Sequence, residues 1–208
     1  MPVLLAFGDS NTHGTPPLSQ LGLNARHAHA DRWVTVMQRL LDPAWEVIAE
    51  GHPGRTTLHD DPIEGPHRNG LRILPSILES HRPIDQLLLM LGTNDLKPIF
   101  SVSAYDIGRS VARLLAVIKV SGAVRDVIVI APPPVRPAGC LADMFLGAEA
   151  RGAGLERHIE RAAQEAGYGF LDAGLLIQAD PLDGVHLSVA AHKVLGQALA
   201  AAVRERLA

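Results

Sequence analysis

Short apolar runs alternate along the chain with segments whose apolar positions recur every three or four residues, a pattern that predicts strands separated by helices. Val3–Phe7, Trp45–Ala49, Ile84–Leu91, Val127–Ala131 and Tyr168–Leu171 read as strands. The uninterrupted run Leu87–Leu91 predicts burial on both faces. Arg32–Leu41 carries Trp33, Val36, Met37, Leu40 and Leu41 at helical spacing, with Asp31 as its expected N-cap and Pro43 after its end. Leu71–Ser80 reads as a helix despite Pro75, and Val102–Val120 as a long amphipathic helix. Ala148–Ala166 reads as one helix weakened by Gly152 and Gly154, and Val189–Leu207 as a closing helix capped by Ser188.

Strands alternating with helices imply an α/β fold, a three-layer α/β/α sandwich around a five-stranded parallel sheet. Right-handed crossovers leave few topologies, of which the flavodoxin-like order 2-1-3-4-5 is expected. No G-x-G-x-x-G follows the first strand and no G-x-x-x-x-G-K-S/T occurs, so dinucleotide and P-loop sites are not expected. A length of 208 residues suits a single domain, 1–208. The net charge of -3 and the lack of a basic cluster interleaved with aromatics argue against nucleic acid and membrane surfaces as partners. Cys140 is the single cysteine, so no internal disulfide can form. With no signal-like start and no apolar run of spanning length, a soluble cytoplasmic protein is the expectation. Three long loops, Thr12–Ala30, Gly51–Asn69 and Pro132–Gly147, are candidates for function.

Candidate chemistry gathers where strands end. Gly8-Asp9-Ser10 follows the first strand and puts a hydroxyl at the carboxyl edge, where ligands bind in open parallel sheets. Gly54, in the loop after the second strand, can bring a backbone N–H close to a ligand. Gly92-Thr93-Asn94-Asp95 follows the third strand, and a carboxamide donor at Asn94 could receive a developing oxyanion. Asp183-Gly184-Val185-His186 precedes the last helix, and its spacing can join a carboxylate to an imidazole. Each block has an ordinary turn reading of its own. In order along one sheet edge, they supply a nucleophile, a base, an orienting acid and oxyanion donors, the parts of nucleophilic acyl transfer.

These blocks resemble the SGNH hydrolase superfamily, also called GDSL esterases. Ser10, Gly54, Asn94 and His186 match its four named residues in order, and Asp183 stands three residues before the histidine. Asp31-Arg32-Trp33, Arg55-Thr56-Thr57, Asp60-Asp61-Pro62, Leu89–Lys97 and Pro132-Pro133-Pro134 also resemble a bacterial arylesterase and acyltransferase subgroup. The resemblance implies a serine esterase acting on short acyl esters, with Ser10, His186 and Asp183 as catalytic residues. The N–H groups of Ser10 and Gly54 and the Asn94 side chain would form the oxyanion hole. It further implies no metal or cofactor, small-molecule ester substrates, possible transfer to alcohols or peroxide, and a homo-oligomer. His13 stands where that subgroup often has Trp. His13, Lys97 and Val185, with Met144 and Phe145 from the loop after the fourth strand, are candidate substrate-binding residues. Asp9 is expected to support its loop rather than react.

Other readings stay open at this point. One is a non-catalytic binding module on the same fold. Another is a thioesterase or carbohydrate deacetylase. A third is a metal hydrolase using His27 and His29, or His52 with His59, Asp60 and Asp61, although no H-E-x-x-H is present.

Overall fold

A computed structural model describes residues 1–207 apart from 42 and 44. The strands are β1 (Val3–Gly8), β2 (Glu46–Gly51), β3 (Ile84–Met90), β4 (Val124–Ala131) and β5 (Gly169–Asp172). They form one parallel sheet in the order β2-β1-β3-β4-β5, as the alternation predicts. The helices are α1 (Ser10–His13), α2 (Trp33–Leu40), α3 (Gly70–His81), α4 (Ala104–Ser121), α5 (Ala148–Arg151), α6 (Leu155–Ala166) and α7 (Val189–Leu207).

Strand periodicity sorts the core into two layers. Leu5 and Phe7, Leu87 and Leu89, and Val127 and Val129 point to one face, where Leu74, Ile107, Val111, Leu114 and Ile159 of α3, α4 and α6 cover them. Leu4 and Ala6, Leu88 and Met90, and Ile128 and Ile130 point to the other, under Trp33 and Met37 of α2 and Leu195, Leu199 and Val203 of α7. Each fully buried side chain of this size stabilises the fold by about 1.5–3 kcal/mol. That two-sided burial is why Leu87–Met90 of β3 reads as an unbroken apolar run. Among the described residues, no helix is long and apolar enough to cross a membrane.

Several boundaries differ from expectation for identifiable reasons. Asp31 does not cap α2; it lies in a 3-10 turn, His29–Asp31, and extended Arg32 holds the cap position without a side-chain bond. The first N–H of α2, on Trp33, instead donates to His192 Nδ1 of α7 at 3.2 Å, a tertiary cap no local pattern announces. Ser103 and Asp106 form a reciprocal capping box that starts α4 at Ala104 rather than Val102. The expected single helix over Ala148–Ala166 is two, because Gly154 takes a left-handed φ of 78° between them. Pro75 sits inside α3 without ending it, and the Asn69 side chain accepts the Arg72 N–H to start that helix. Ser188 Oγ accepts the Ala191 N–H, as expected for the start of α7.

Register sets the height of the loops. Gly8 is level with Gly51 of β2 and with Met90 of β3, so the chain leaves all three strands at one edge. Gly51 also packs directly against α1: a Cβ there would collide with the backbone of Thr12 and His13. Gly51→Ala should therefore push α1 off the sheet and destabilise the protein by about 1–3 kcal/mol. A lower urea midpoint at an unchanged m-value would show this; an unchanged midpoint would mean that α1 is held elsewhere.

Candidate active site

The first loop is built by Asp9. Its Oδ1 accepts the Asn11 N–H at 2.9 Å and caps α1, a four-residue turn that ends at Gly14 with φ of 91°. Ser10, the first residue of that turn, is 5% exposed. Asp9 is buried beneath it, and burial pushes its carboxyl up to about 6, against the opposing pull of the Asn11 N–H, His186 and Arg55.

The last loop is built by Gly184 and Asp183. Gly184 has φ of 71°, donates to Asp180 O at 2.8 Å and accepts the Arg136 N–H at 2.9 Å. A Cβ there would collide with the Arg136 carbonyl, so glycine is required. Asp183 is fully buried. Its Oδ1 accepts the N–H groups of Val185 and His186, each at 2.9 Å, and its Oδ2 accepts the Leu18 N–H at 2.7 Å. His186 Nδ1 lies 2.7 Å from the same Oδ2. Burial alone would raise the Asp183 pKa, but the bonds from the His186 ring and backbone and from Val185 hold it below the ordinary value. Donation of Nδ1–H to this carboxylate leaves Nε2 as the basic nitrogen of His186.

The two middle loops are joined through Arg55. Gly54 adopts φ of 75°, and the next residue, Arg55, donates its N–H to His52 O at 3.1 Å. The Arg55 guanidinium is buried 4.2 Å over the Phe7 ring and donates to the carbonyls of Gly8, at 2.8 Å, and Glu50. Burial lowers its pKa to about 10, so it stays charged at neutral pH. The Arg55 carbonyl accepts Asn94 Nδ2 at 3.1 Å, and the same nitrogen lies 3.5 Å from Asp9 Oδ2. Asp95, fully buried, accepts the Thr57 N–H at 3.0 Å, the Thr57 hydroxyl at 2.5 Å and His59 Nδ1 at 2.8 Å. The His59 bond raises that imidazole above its usual pKa.

The loops enclose a cleft of about 310 Å³. Ser10, His13, Gly54, Asn94, Lys97, Met144, Phe145, Val185 and His186 all line it, and Asp183 stands behind His186. Its apolar lining includes Leu18, Leu141, Met144, Phe145 and Val185. Its polar lining includes His13, Glu64, Arg68 and Lys97. Lys97 Nζ lies 3.5 Å from both Asp61 and Glu64, and Arg68 lies 3.4 Å from Glu64. His13 Nδ1 meets Thr15 Oγ1 at 3.1 Å; burial and then the charges of Arg26 and Arg32 depress its pKa to about 4. A larger groove of about 580 Å³, between α4 and α6, contains none of these residues.

The sequence motifs include Arg55 and Asp95 without a role for either, and do not mark Asn11 behind the cleft or Glu64 and Arg68 in its lining. The first three each stand beside a predicted residue, so adjacency was the available signal. The histidines weighed as metal ligands lie elsewhere: His27 Nε2 meets Leu187 O at 3.0 Å, and His52 Nδ1 meets Arg68 at 3.2 Å. Among the described residues, no three His, Cys, Asp or Glu side chains gather as a metal-holding group.

The GDSL-like lipase/acylhydrolase family matches residues 6–194. The chain belongs to that family. Solved structures agree. The inhibitor-bound aryl esterase of M. smegmatis superposes with a TM-score of 0.93 at 36% identity, over 99% of each chain. A carbohydrate acetylesterase from Sinorhizobium meliloti gives 0.93 at 34% identity, again over 99% of each chain. A lipase/acylhydrolase from Enterococcus faecalis, at 19% identity and a TM-score of 0.71 over 99% of this chain and 97% of that one, shares the fold. No curated protein sequence matches significantly. The protein is thus an esterase or acylhydrolase, a carboxylic ester hydrolase with the SGNH-type fold expected from its motifs.

The buried Asp9 gives this loop a pH dependence. Its carboxyl titrates near 6 in the folded protein against 3.8 unexposed to the fold, so the folded state holds the proton more tightly. The associated stability is full below pH 3.8 and is lost as pH rises through 6. Asp9→Asn removes this dependence. Relative to wild type, the variant should gain about 2 kcal/mol between about pH 4 and about pH 7. Urea midpoints at the two pH values would read the gain, and a difference that does not change with pH would contradict it.

Proposed function

We propose that this protein is a serine esterase of short-chain acyl esters, with Ser10 as nucleophile, His186 as general base and acid, and Asp183 as the orienting carboxylate. The observation that carries this reading is the 2.7 Å bond between Asp183 and His186 Nδ1, behind a cleft that His186 and Ser10 line together.

In this reading His186 Nε2 takes the Ser10 proton as Oγ attacks the ester carbonyl, and Asp183 stabilises the imidazolium that forms. The negative charge on the carbonyl oxygen is received by the N–H groups of Ser10 and Gly54 and by Asn94 Nδ2. Asn94 is aimed by its bond to the Arg55 carbonyl, and its weaker contact with Asp9 leaves donor capacity for the oxyanion. Collapse expels the alcohol, which takes the proton from His186. Water, deprotonated by His186, then releases the acid from Ser10. These steps need no metal or cofactor.

The cleft volume and the apolar lining of Leu141, Met144, Phe145 and Val185 support a small acyl group. An alcohol or peroxide that takes the place of water would receive the acyl group from Ser10 in the same second step. The polar lining of His13, Glu64, Arg68 and Lys97 supports leaving groups that carry hydroxyls, including sugars.

Hydrolysis of p-nitrophenyl esters should peak at short acyl chains. Asn94→Ala should lower turnover by about a hundredfold or more with the fold intact. Unchanged turnover would remove Asn94 from the mechanism. Asp183→Asn should cost about 10³–10⁴ in turnover, because an amide favours the wrong His186 tautomer. A mild effect would mean that another group orients the base.

A further inference from the structure

We infer that Asn11 is a positioning residue that sets the distance between Ser10 and His186; the inference rests on the nucleophile and base assigned above. Asp183 fixes the imidazole within its own loop. The Asp183–Leu18 bond reaches the first loop well past Ser10, so the spacing at Ser10 itself needs a separate link.

Asn11 follows Ser10 directly and is 1% exposed. Its Nδ2 donates to the Val185 carbonyl at 3.1 Å, and its Oδ1 accepts the Leu187 N–H at 3.1 Å. The two peptide groups it binds stand on either side of His186. A planar amide bonded to both fixes the translation and the rotation of the segment between them, as paired strands fix each other. The orientation of the amide is unambiguous, since a carbonyl faces the nitrogen and an N–H faces the oxygen.

The anchor end of this clamp is equally constrained. The Asn11 N–H is held by Asp9 Oδ1 at 2.9 Å, and the Asn11 carbonyl accepts Trp33 Nε1–H at 3.1 Å. Trp33 is itself buried under the sheet, and its N–H is bound by His192. Both the α2 helix and the sheet edge therefore hold the residue that spaces Ser10 from His186. A general base works within narrow limits of reach to its proton, and a displacement of about 1 Å can cost about a hundredfold in rate.

The test separates positioning from packing. Wild type, Asn11→Ala and Asn11→Asp are titrated with a p-nitrophenyl phosphonate, which counts the molecules carrying a reactive Ser10. Turnover of p-nitrophenyl acetate is then expressed per titrated site. Asn11→Ala should lose about ten- to hundredfold in kcat per site, with KM within about threefold. Asn11→Asp keeps the side-chain size and the acceptor for Leu187 but turns a second carboxylate oxygen toward the Val185 carbonyl, and should lose at least as much kcat per site as Ala. It carries the same threshold if the alanine variant does not fold. A kcat per site within about twofold of wild type in a folded variant would overturn the inference. Failure of the phosphonate to label Ser10 in wild type would instead overturn the catalytic reading on which it rests.

Discussion

A buried carboxylate is tolerated only when its oxygens are fully engaged, and Asp183 shapes the functional edge of this protein through that requirement. Its two oxygens accept N–H groups from Val185, His186 and Leu18 and the ring of His186. Hydrogen bonds to a charged group contribute about 1.5–3 kcal/mol each, and the loss of one leaves the charge partly unsatisfied. The carboxylate thus folds the last loop around itself, selects the tautomer of the imidazole and draws in Leu18 of the first loop. One residue couples local backbone geometry, loop docking and the chemistry assigned to His186.

The other loops follow the same logic with different groups. Arg55, a buried cation, finds the Gly8 and Glu50 carbonyls and the Phe7 face, and so ties the second loop to the end of β1. Its own carbonyl then aims Asn94. Asp95 binds the backbone and hydroxyl of Thr57 and holds the second loop to the third. Asn94 and His186 are consequently held by partners that lie outside the cleft they line. Such preorganisation lets donors meet a developing charge without reorganising, which is how hydrogen bonds become useful in the transition state rather than only in the folded state. Asp9 shows the opposing cost. It caps α1 from a buried position at the expense of a raised pKa.

Much of the fold was legible because a parallel sheet covered on both faces demands long apolar strands, and β1, β3 and β4 declare themselves that way. β2 was weaker in sequence because it is an edge strand with partly exposed residues. The elements that misled were those decided by tertiary partners or by backbone conformation. The α2 cap is supplied by His192 from α7, and the α5–α6 break depends on the left-handed turn at Gly154. In the candidate site, the placement of Ser10, Gly54, Asn94 and His186 around one cleft was legible, since their motifs stand where strands end. The roles of Asn11, Arg55 and Asp95 were not, because a buried amide, guanidinium or carboxylate acquires its role only from the partners the fold brings to it. Glu64 and Arg68 lie in a loop whose path over Gly54 has no periodic signature.

The central claim is that Ser10 carries the acyl group during turnover. The direct measurement is mass spectrometry of protein acid-quenched while hydrolysing p-nitrophenyl acetate, with Ser10→Ala in parallel. The account predicts one acetyl group on the peptide containing Ser10 in wild type, and neither adduct nor turnover in the variant. An acetyl group fixed elsewhere, or turnover that persists in Ser10→Ala at the wild-type rate, would contradict it.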